Sequence, residues 1–67
     1  MTQDEFINLM YLHHGKTVFN KQETAFELGG VSTETVDRLR TDGEIRSKMI
    51  RGQVMFTVIE IYRYLYE

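Results

Sequence analysis

The chain has 67 residues, of which 42% are hydrophobic and 27% charged, and its net charge at pH 7 is −2. This length suits a single domain with one small core, and the absence of cysteine excludes disulfide bonds and thiolate metal sites. No apolar run is long enough to span a membrane, and the acidic start Met1–Glu5 does not resemble an export signal. We therefore expect one folded domain, residues 1–67, in a reducing cytoplasm.

The first predicted helix begins after Thr2. Thr2 and Glu5 have the spacing of a capping box, in which each side chain accepts a hydrogen bond from the other residue's backbone N–H. The helix should end near Gly15, because glycine readily adopts the left-handed conformation found at helix C-termini. Its broad apolar face would comprise Phe6, Ile7, Leu9, Met10 and Tyr11.

Two further helices are predicted in the middle of the chain. Asn20 and Glu23 form another capping box, and Gly29–Gly30 should end that helix and turn the chain. Ser32 then caps a helix over residues 33–40. The inward positions of the two helices would be Thr24, Ala25, Leu28, Thr35, Val36 and Leu39. Two short helices joined by a glycine turn predict a helix-turn-helix unit.

Short strands are predicted on both sides of this helix pair. Thr17–Phe19 should be extended, and Ile45–Ile50 and Gln53–Phe56 are rich in β-forming residues. The intervening Arg51–Gly52 favours a hairpin turn. Alternation along the strand would place Ile45 and Met49 on one face and Arg46 and Lys48 on the other.

A third capping box, Thr57 with Glu60, predicts a last helix. Its core-facing residues would be Ile61, Leu65 and one of the tyrosines, and the three tyrosines Tyr62, Tyr64 and Tyr66 are expected to serve the core and its rim rather than stack on bases. The sequence therefore predicts a mainly α fold with a small β-hairpin.

Charge is distributed unevenly along the chain. The stretch from Arg38 to Arg51 holds five basic and two acidic residues, a net +3, whereas the remainder holds three basic and eight acidic residues, a net −5. DNA-binding proteins usually carry an excess of lysine and arginine that neutralises phosphates. A DNA-binding role would thus require a basic face on an acidic body.

The order and spacing of four segments resemble the excisionase and AlpA-like helix-turn-helix proteins, relatives of the MerR-type DNA-binding domain. The four segments are Lys21–Ala25 in the first helix of the pair, Leu28–Ser32 at the turn, Thr35–Leu39 in the second helix and Gly43–Ile45 before the hairpin. The resemblance covers residues 18–67 and implies a winged helix-turn-helix, with the hairpin as the wing. Residues 1–17 form an N-terminal helical extension beyond the family core, either a packing element or a surface for a partner.

The resemblance implies a small accessory protein of a phage, an integrative element or a genomic island, with no enzymatic activity and no cofactor. Such proteins act on double-stranded DNA at the bacterial nucleoid: they bind repeated sites near an attachment site, bend the DNA, associate side by side and direct a tyrosine-type integrase towards excision. Two alternatives stay open. One is a small transcriptional regulator of a mobile element, and the other is a protein-interaction module built on a helix-turn-helix scaffold.

In a helix-turn-helix, the second helix enters the major groove and its N-terminal residues reach base edges. The candidate DNA-binding residues of this helix are Ser32, Thr33, Glu34, Asp37, Arg38 and Arg40. Arg38 is the strongest candidate, because a guanidinium pairs bidentately with guanine or clamps a phosphate. Glu34 and Asp37 either accept hydrogen bonds from a cytosine amino group or only stabilise the N-terminal half of the helix.

The wing supplies three further candidates, Arg46, Lys48 and Arg51. Their side chains would lie along the DNA backbone or enter the minor groove. The alternative is a solvated strand face that protects a sheet edge from aggregation. We favour DNA contact because these residues cluster with Arg38 and Arg40 in the sequence.

Catalysis and metal binding are not expected. The sequence contains no recognisable arrangement of nucleophile, base and orienting group. His13 and His14 are adjacent, and adjacent helical residues point in different directions, so we expect them to interact with the helix dipole rather than to bind a metal.

Overall fold

Four helices, each begun by a side-chain cap, surround a three-stranded antiparallel sheet in a computed structural model that describes residues 1–67. In chain order the elements are α1 (Gln3–His14), β1 (Val18–Phe19), α2 (Lys21–Glu27), α3 (Thr33–Thr41), β2 (Lys48–Ile50), β3 (Gln53–Thr57) and α4 (Val58–Tyr66). None of the helices combines the length and the apolar character needed to cross a membrane. The prediction of a mainly α fold with a small hairpin is confirmed.

The caps of the first three helices follow from residues three positions apart. Thr2 and Glu5 exchange the two hydrogen bonds of a capping box at the start of α1, and Asn20 and Glu23 do so at the start of α2. Ser32 Oγ accepts a hydrogen bond from the backbone N–H at the third position of α3, at 3.2 Å. These three predictions are confirmed.

The capping box predicted for α4 forms only in part. Thr57 Oγ1 accepts a hydrogen bond from the backbone N–H of Glu60 at 3.4 Å, but the Glu60 carboxylate accepts one from Arg63 instead of from Thr57. Thr57 is also the last residue of β3 and pairs with Val18 of β1. Strand β3 therefore runs directly into α4 without a linker.

The sheet has the order β1-β3-β2, and β2 and β3 form the predicted hairpin. The turn residues Arg51 and Gly52 have φ angles of 53° and 78°, and positive φ at both positions is what a two-residue type I′ turn requires. Arg51 is the one residue other than glycine with a positive φ. This conformation fixes the register of the hairpin.

The first strand of the hairpin is shorter than predicted. It begins at Lys48, and Ile45 lies before it, where its backbone N–H donates to the carbonyl of Leu39 at the end of α3. Ile45 is 1% exposed and Met49 is 66% exposed. The prediction that Ile45 and Met49 lie on one face of a single strand is wrong, because Ile45 enters the core from the loop and not from the strand.

One core collects side chains from all four helices, from β1 and β3, and from the loop before β2. Its buried members are Phe6, Met10, Phe19, Ala25, Val36, Ile45, Phe56, Val58 and Ile61. Thr24 is also buried, and Leu28 and Leu39 pack partly against the core. The inward faces predicted for α2 and α3 are therefore confirmed.

Helix α1 packs on α4 and belongs to this core. The ring centroid of Phe6 lies 5.6 Å from that of Tyr62 and 5.8 Å from that of Tyr66. The predicted inward position of Leu65 is wrong, since Leu65 is exposed and the two tyrosines make the contact with Phe6. Two residues of the predicted apolar face of α1 are likewise exposed, Leu9 and Tyr11.

Candidate nucleic-acid interface

Helices α2 and α3 are joined by a turn that two left-handed glycines make possible. Gly29 and Gly30 have φ angles of 103° and 79°, a region in which only glycine is free of strain. The N–H groups of Gly30 and Val31 donate to the carbonyl of Ala25, which satisfies the end of α2. Ser32 then begins α3 at once, so the turn sets the direction of α3 relative to α2.

The outward surface of α3 carries the residues predicted from the sequence. Four of them are exposed, namely Ser32, Thr33, Glu34 and Arg38, and two are partly buried, Asp37 and Arg40. The N-terminal end of α3, which bears a partial positive charge, opens to solvent at Ser32 and Thr33. Arg38 stands on this surface without an ion-pair partner.

Asp37 connects the two helices rather than projecting freely. The Nζ atom of Lys21, in the first turn of α2, lies 3.2 Å from Oδ2 and 3.1 Å from Oδ1 of Asp37. Nη2 of Arg40 lies 3.6 Å from the same Oδ1. The role of Lys21 was not predicted, because its partner is 16 residues away in the chain.

The outer side of the hairpin and the first turns of α4 enclose a groove, which we call the basic groove. It is lined by Arg46, Ser47, Lys48, Thr57, Ile59, Glu60 and Arg63. Three of these side chains are cationic and Glu60 alone is anionic, paired with Arg63 at 3.0 Å. The groove encloses about 300 Å³, which leaves room for a phosphate group with several waters of about 30 Å³ each.

Arg63 is a member of this groove that sequence reasoning missed. It lies outside the basic stretch from Arg38 to Arg51, and no local pattern marks it as part of that stretch. Its place beside the hairpin comes from the fold, in which Thr57 is both the last residue of β3 and the cap of α4.

The tip of the hairpin lies at the N-terminal end of α2. A polar cleft between them is lined by Asn20, Lys21, Gln22, Gly52, Gln53 and Val54. Arg51, next to Gly52, is exposed at this tip. The hairpin tip therefore lies beside the start of α2, and Arg46 and Lys48 lie beside the first turns of α4.

The eight lysine and arginine residues fall into two equal groups. Four form ion pairs with carboxylates, namely Lys16, Lys21, Arg40 and Arg63. The other four are exposed and form none, and we call them the unpaired cations: Arg38, Arg46, Lys48 and Arg51. All four lie in the stretch that the sequence marks as basic.

Four charged or titratable side chains around the end of α1 and in α2 contact one another in two pairs. Lys16 Nζ lies 2.6 Å from Glu23 Oε2, and His14 Nε2 lies 2.5 Å from Glu27 Oε1. Burial raises the pKa of Glu23, but the hydrogen bonds from Lys16 and from the backbone of Asn20, together with the charge of Lys16, lower it below its ordinary value of 4.5. Hydrogen bonds from Thr2 lower the pKa of Glu5 in α1 in the same way.

Comparison of the chain with models of known protein families, with curated proteins and with solved structures found no match. The candidate interface consequently depends on the geometry and charge of the chain's own residues. Its main features are the outward face of α3, the hairpin tip and the basic groove.

Proposed function

We propose that this chain is a winged helix-turn-helix DNA-binding protein of the excisionase type, in which α2 and α3 form the helix-turn-helix and the β2–β3 hairpin is the wing. The observation that supports this most is the existence of the unpaired cations. These four side chains are exposed and form no ion pair with any of the ten carboxylates, so their charges are available to neutralise phosphates. Four exposed cations without partners in one stretch are what a polyanion requires.

In this proposal α3 enters the major groove of double-stranded DNA. Its N-terminal end, with Ser32 and Thr33, approaches a phosphate, because backbone N–H groups and the helix dipole favour an anion there. Arg38 reaches a guanine or a phosphate. Asp37 holds α3 against Lys21 of α2 and so keeps the orientation of the helix, and Arg40 pairs with the same carboxylate within α3. Glu34 remains a candidate acceptor for a cytosine amino group.

The wing contributes contacts that do not depend on base sequence. Arg46 and Lys48 bind one phosphate at the basic groove, while Arg63 stays paired with Glu60. Arg51 at the tip lies along the backbone or enters the minor groove. These contacts set the position of the protein on DNA and permit bending.

The acidic body makes solitary binding weaker than the number of cations alone implies. Outside the stretch from Arg38 to Arg51 the net charge is −5, and this charge repels the phosphates over a distance set by the salt concentration. We therefore propose that copies bind side by side or together with a tyrosine-type integrase at an attachment site. The protein supplies no catalytic group of its own.

The first test is selection of duplexes from a random DNA library, followed by affinity measurement on the enriched duplex. Arg38→Ala should weaken binding by about 1–3 kcal/mol and relax the selected sequence. Arg38→Lys is the matched variant: it keeps the charge but loses bidentate pairing, so it should lose specificity and retain salt dependence. If no duplex is enriched, or if Arg38→Ala binds as the wild type does, the DNA-binding proposal is wrong.

A second assay separates excision from transcriptional regulation. A plasmid carrying both attachment sites of an element is incubated with its integrase, with and without this protein. An excisionase raises the yield of excised circle, whereas a regulator leaves it unchanged and alters transcription from a promoter that contains the enriched site. The Arg38→Ala variant serves as the control in both reactions.

One observation favours the protein-interaction alternative. Leu12 in α1 and Phe26 in α2 are 81% and 68% exposed, and Phe26 lines an apolar groove with the exposed Leu9 and Tyr66. Contiguous exposed apolar surface is typical of interaction sites. Leu12→Ser and Phe26→Ser would abolish partner binding under that alternative. Under the DNA-binding proposal the two variants bind the enriched duplex with wild-type affinity.

A further inference from the structure

A cluster of potential metal ligands lies where the C-terminal end of α1 meets the end of α2. Nitrogen atoms of His13 and His14 and a carboxylate oxygen of Glu27 all lie within 4.8 Å of one another. The two histidines are the only ones in the chain. No feature of the proposed DNA interface involves this cluster.

The fold holds two of the three side chains in place. His14 packs edge-on against the ring of Phe19, at 4.9 Å between centroids, and Phe19 is fully buried. The side chains of His14 and Glu27 are only 17% and 20% exposed, and they contact each other directly. His13 is exposed, and its ring stands edge-on to that of His14 at 4.7 Å.

The two adjacent histidines alone do not predict a metal site. Adjacent helical residues do point in different directions, but α1 ends immediately after them at Gly15 and the third donor comes from a different helix. The tertiary fold thus supplies the third metal donor, which α1 alone does not provide. This donor could not be predicted, because Glu27 is 13 residues from His14.

Two imidazole nitrogens and one carboxylate oxygen are the donor set of zinc sites that keep a fourth position open. Tetrahedral donors at zinc distances of about 2.0–2.1 Å lie roughly 3.3 Å apart. His14 Nε2 and Glu27 Oε1, now at 2.5 Å, would separate by less than 1 Å to admit the ion. The exposed side chain of His13 would move inwards to complete the set.

We propose that His13, His14 and Glu27 bind one Zn²⁺ ion that ties the end of α1 to the end of α2. The remaining coordination position faces solvent on the side of His13 and takes water. Without the ion, the hydrogen bond between His14 and Glu27 holds the same two helices together. Because the ion binds the folded chain, it stabilises that state.

The test uses the full chain without a histidine tag, freed of metal by a chelator. Calorimetric titration with ZnCl₂ should give one site per chain, and Zn²⁺ at a hundredfold excess over its Kd should raise the Tm by about 10 °C or more. The NMR signals of both imidazole rings should shift together during the titration. MgCl₂, which prefers oxygen donors, should produce none of these changes.

Two variants decide whether these residues are the ligands. His13→Ala removes an exposed donor without disturbing the core, and Glu27→Gln keeps the shape of its side chain, so each should fold and lose at least tenfold in Zn²⁺ affinity. Glu34→Gln, an exposed carboxylate on α3, is the matched control and should bind Zn²⁺ as the wild type does. Wild-type affinity in either ligand variant, or the absence of any saturable Zn²⁺ binding, overturns the proposal and leaves His14 and Glu27 as a hydrogen-bonded pair only.

Discussion

Two groups of charged side chains in this molecule differ in whether they have ion-pair partners. Around α1 and the start of α2, charged groups meet partners from other parts of the chain, as Lys16 does with Glu23 and His14 with Glu27. On α3 and the hairpin, Arg38, Arg46 and Lys48 have no partner and lie in solvent. A small net charge thus combines two kinds of charged groups. The pairs Lys16–Glu23 and His14–Glu27 join separate segments of the chain, and the unpaired cations are available to another molecule.

The largest effect is expected from removing the contact that makes α1 part of the core. Phe6→Ala deletes a ring that packs against Tyr62 and Tyr66 and should lower the free energy of unfolding by about 3 kcal/mol. Urea unfolding followed by circular dichroism measures it. Leu12→Ala, on the exposed side of the same helix, is the control and should change stability by less than about 0.5 kcal/mol. A loss below about 1 kcal/mol for Phe6→Ala would show that α1 is a detachable extension.

Removal of the helix cap at Asn20 should lower the free energy of unfolding more than removal of an unpaired cation. Asn20→Ala removes the side-chain oxygen that accepts the hydrogen bond from the Glu23 backbone N–H and should cost about 1 kcal/mol. Arg46→Ala and Lys48→Ala remove exposed side chains without ion pairs and should stay within about 0.5 kcal/mol of the wild type. The melting temperatures of the three variants, from thermal unfolding, measure these differences in stability. Equal losses of stability in the three variants would contradict this expectation.

A smaller effect is expected from the titration of Glu23. The pKa of Glu23 is lower in the folded chain than its ordinary value of 4.5, so its ionised form stabilises the fold above that value, and the contribution is lost as the pH falls through the folded pKa. Glu23→Gln should therefore be less stable than the wild type at pH 7, and the difference should shrink at pH 3.

Urea midpoints at the two pH values measure this difference. Glu44→Gln is the control, because Glu44 is exposed and has no ion pair, and this variant should keep the acid sensitivity of the wild type. If Glu23→Gln is less stable than the wild type by the same amount at pH 3 and at pH 7, the loss of stability does not come from the charge of the carboxylate.

The helix starts and the hairpin turn could be predicted because their causes are local. A cap at Asn20 and its partner Glu23 are three residues apart, and the positive φ at Gly52 is an intrinsic tolerance of glycine. The errors concern burial, which depends on distant parts of the chain. Ile45 enters the core from a loop, and Leu65 loses its inward position to the tyrosines that contact α1.

The candidate interface, too, could be predicted only where its features depend on residues close in the sequence. The four unpaired cations were all predicted, since a cluster of basic residues in the sequence is a local signal. Their lack of partners, the pairing of Asp37 with Lys21, and the place of Arg63 beside the hairpin come from the tertiary fold. The pairs Lys16–Glu23, Lys21–Asp37 and His14–Glu27 cannot be derived from composition, because only folding brings their residues together.

The central claim is that the unpaired cations, and not the paired ones, contact DNA. The most direct test measures how the Kd for the enriched duplex depends on the salt concentration between 50 and about 200 mM, the range over which phosphate contacts are resolved. It compares variants of two lysines. Lys48→Ala should reduce the magnitude of the log–log slope by about 1, as expected for one lost phosphate contact. Lys16→Ala removes the same charge from the pair with Glu23 and should leave the slope unchanged. Equal slopes for the two variants would contradict the claim.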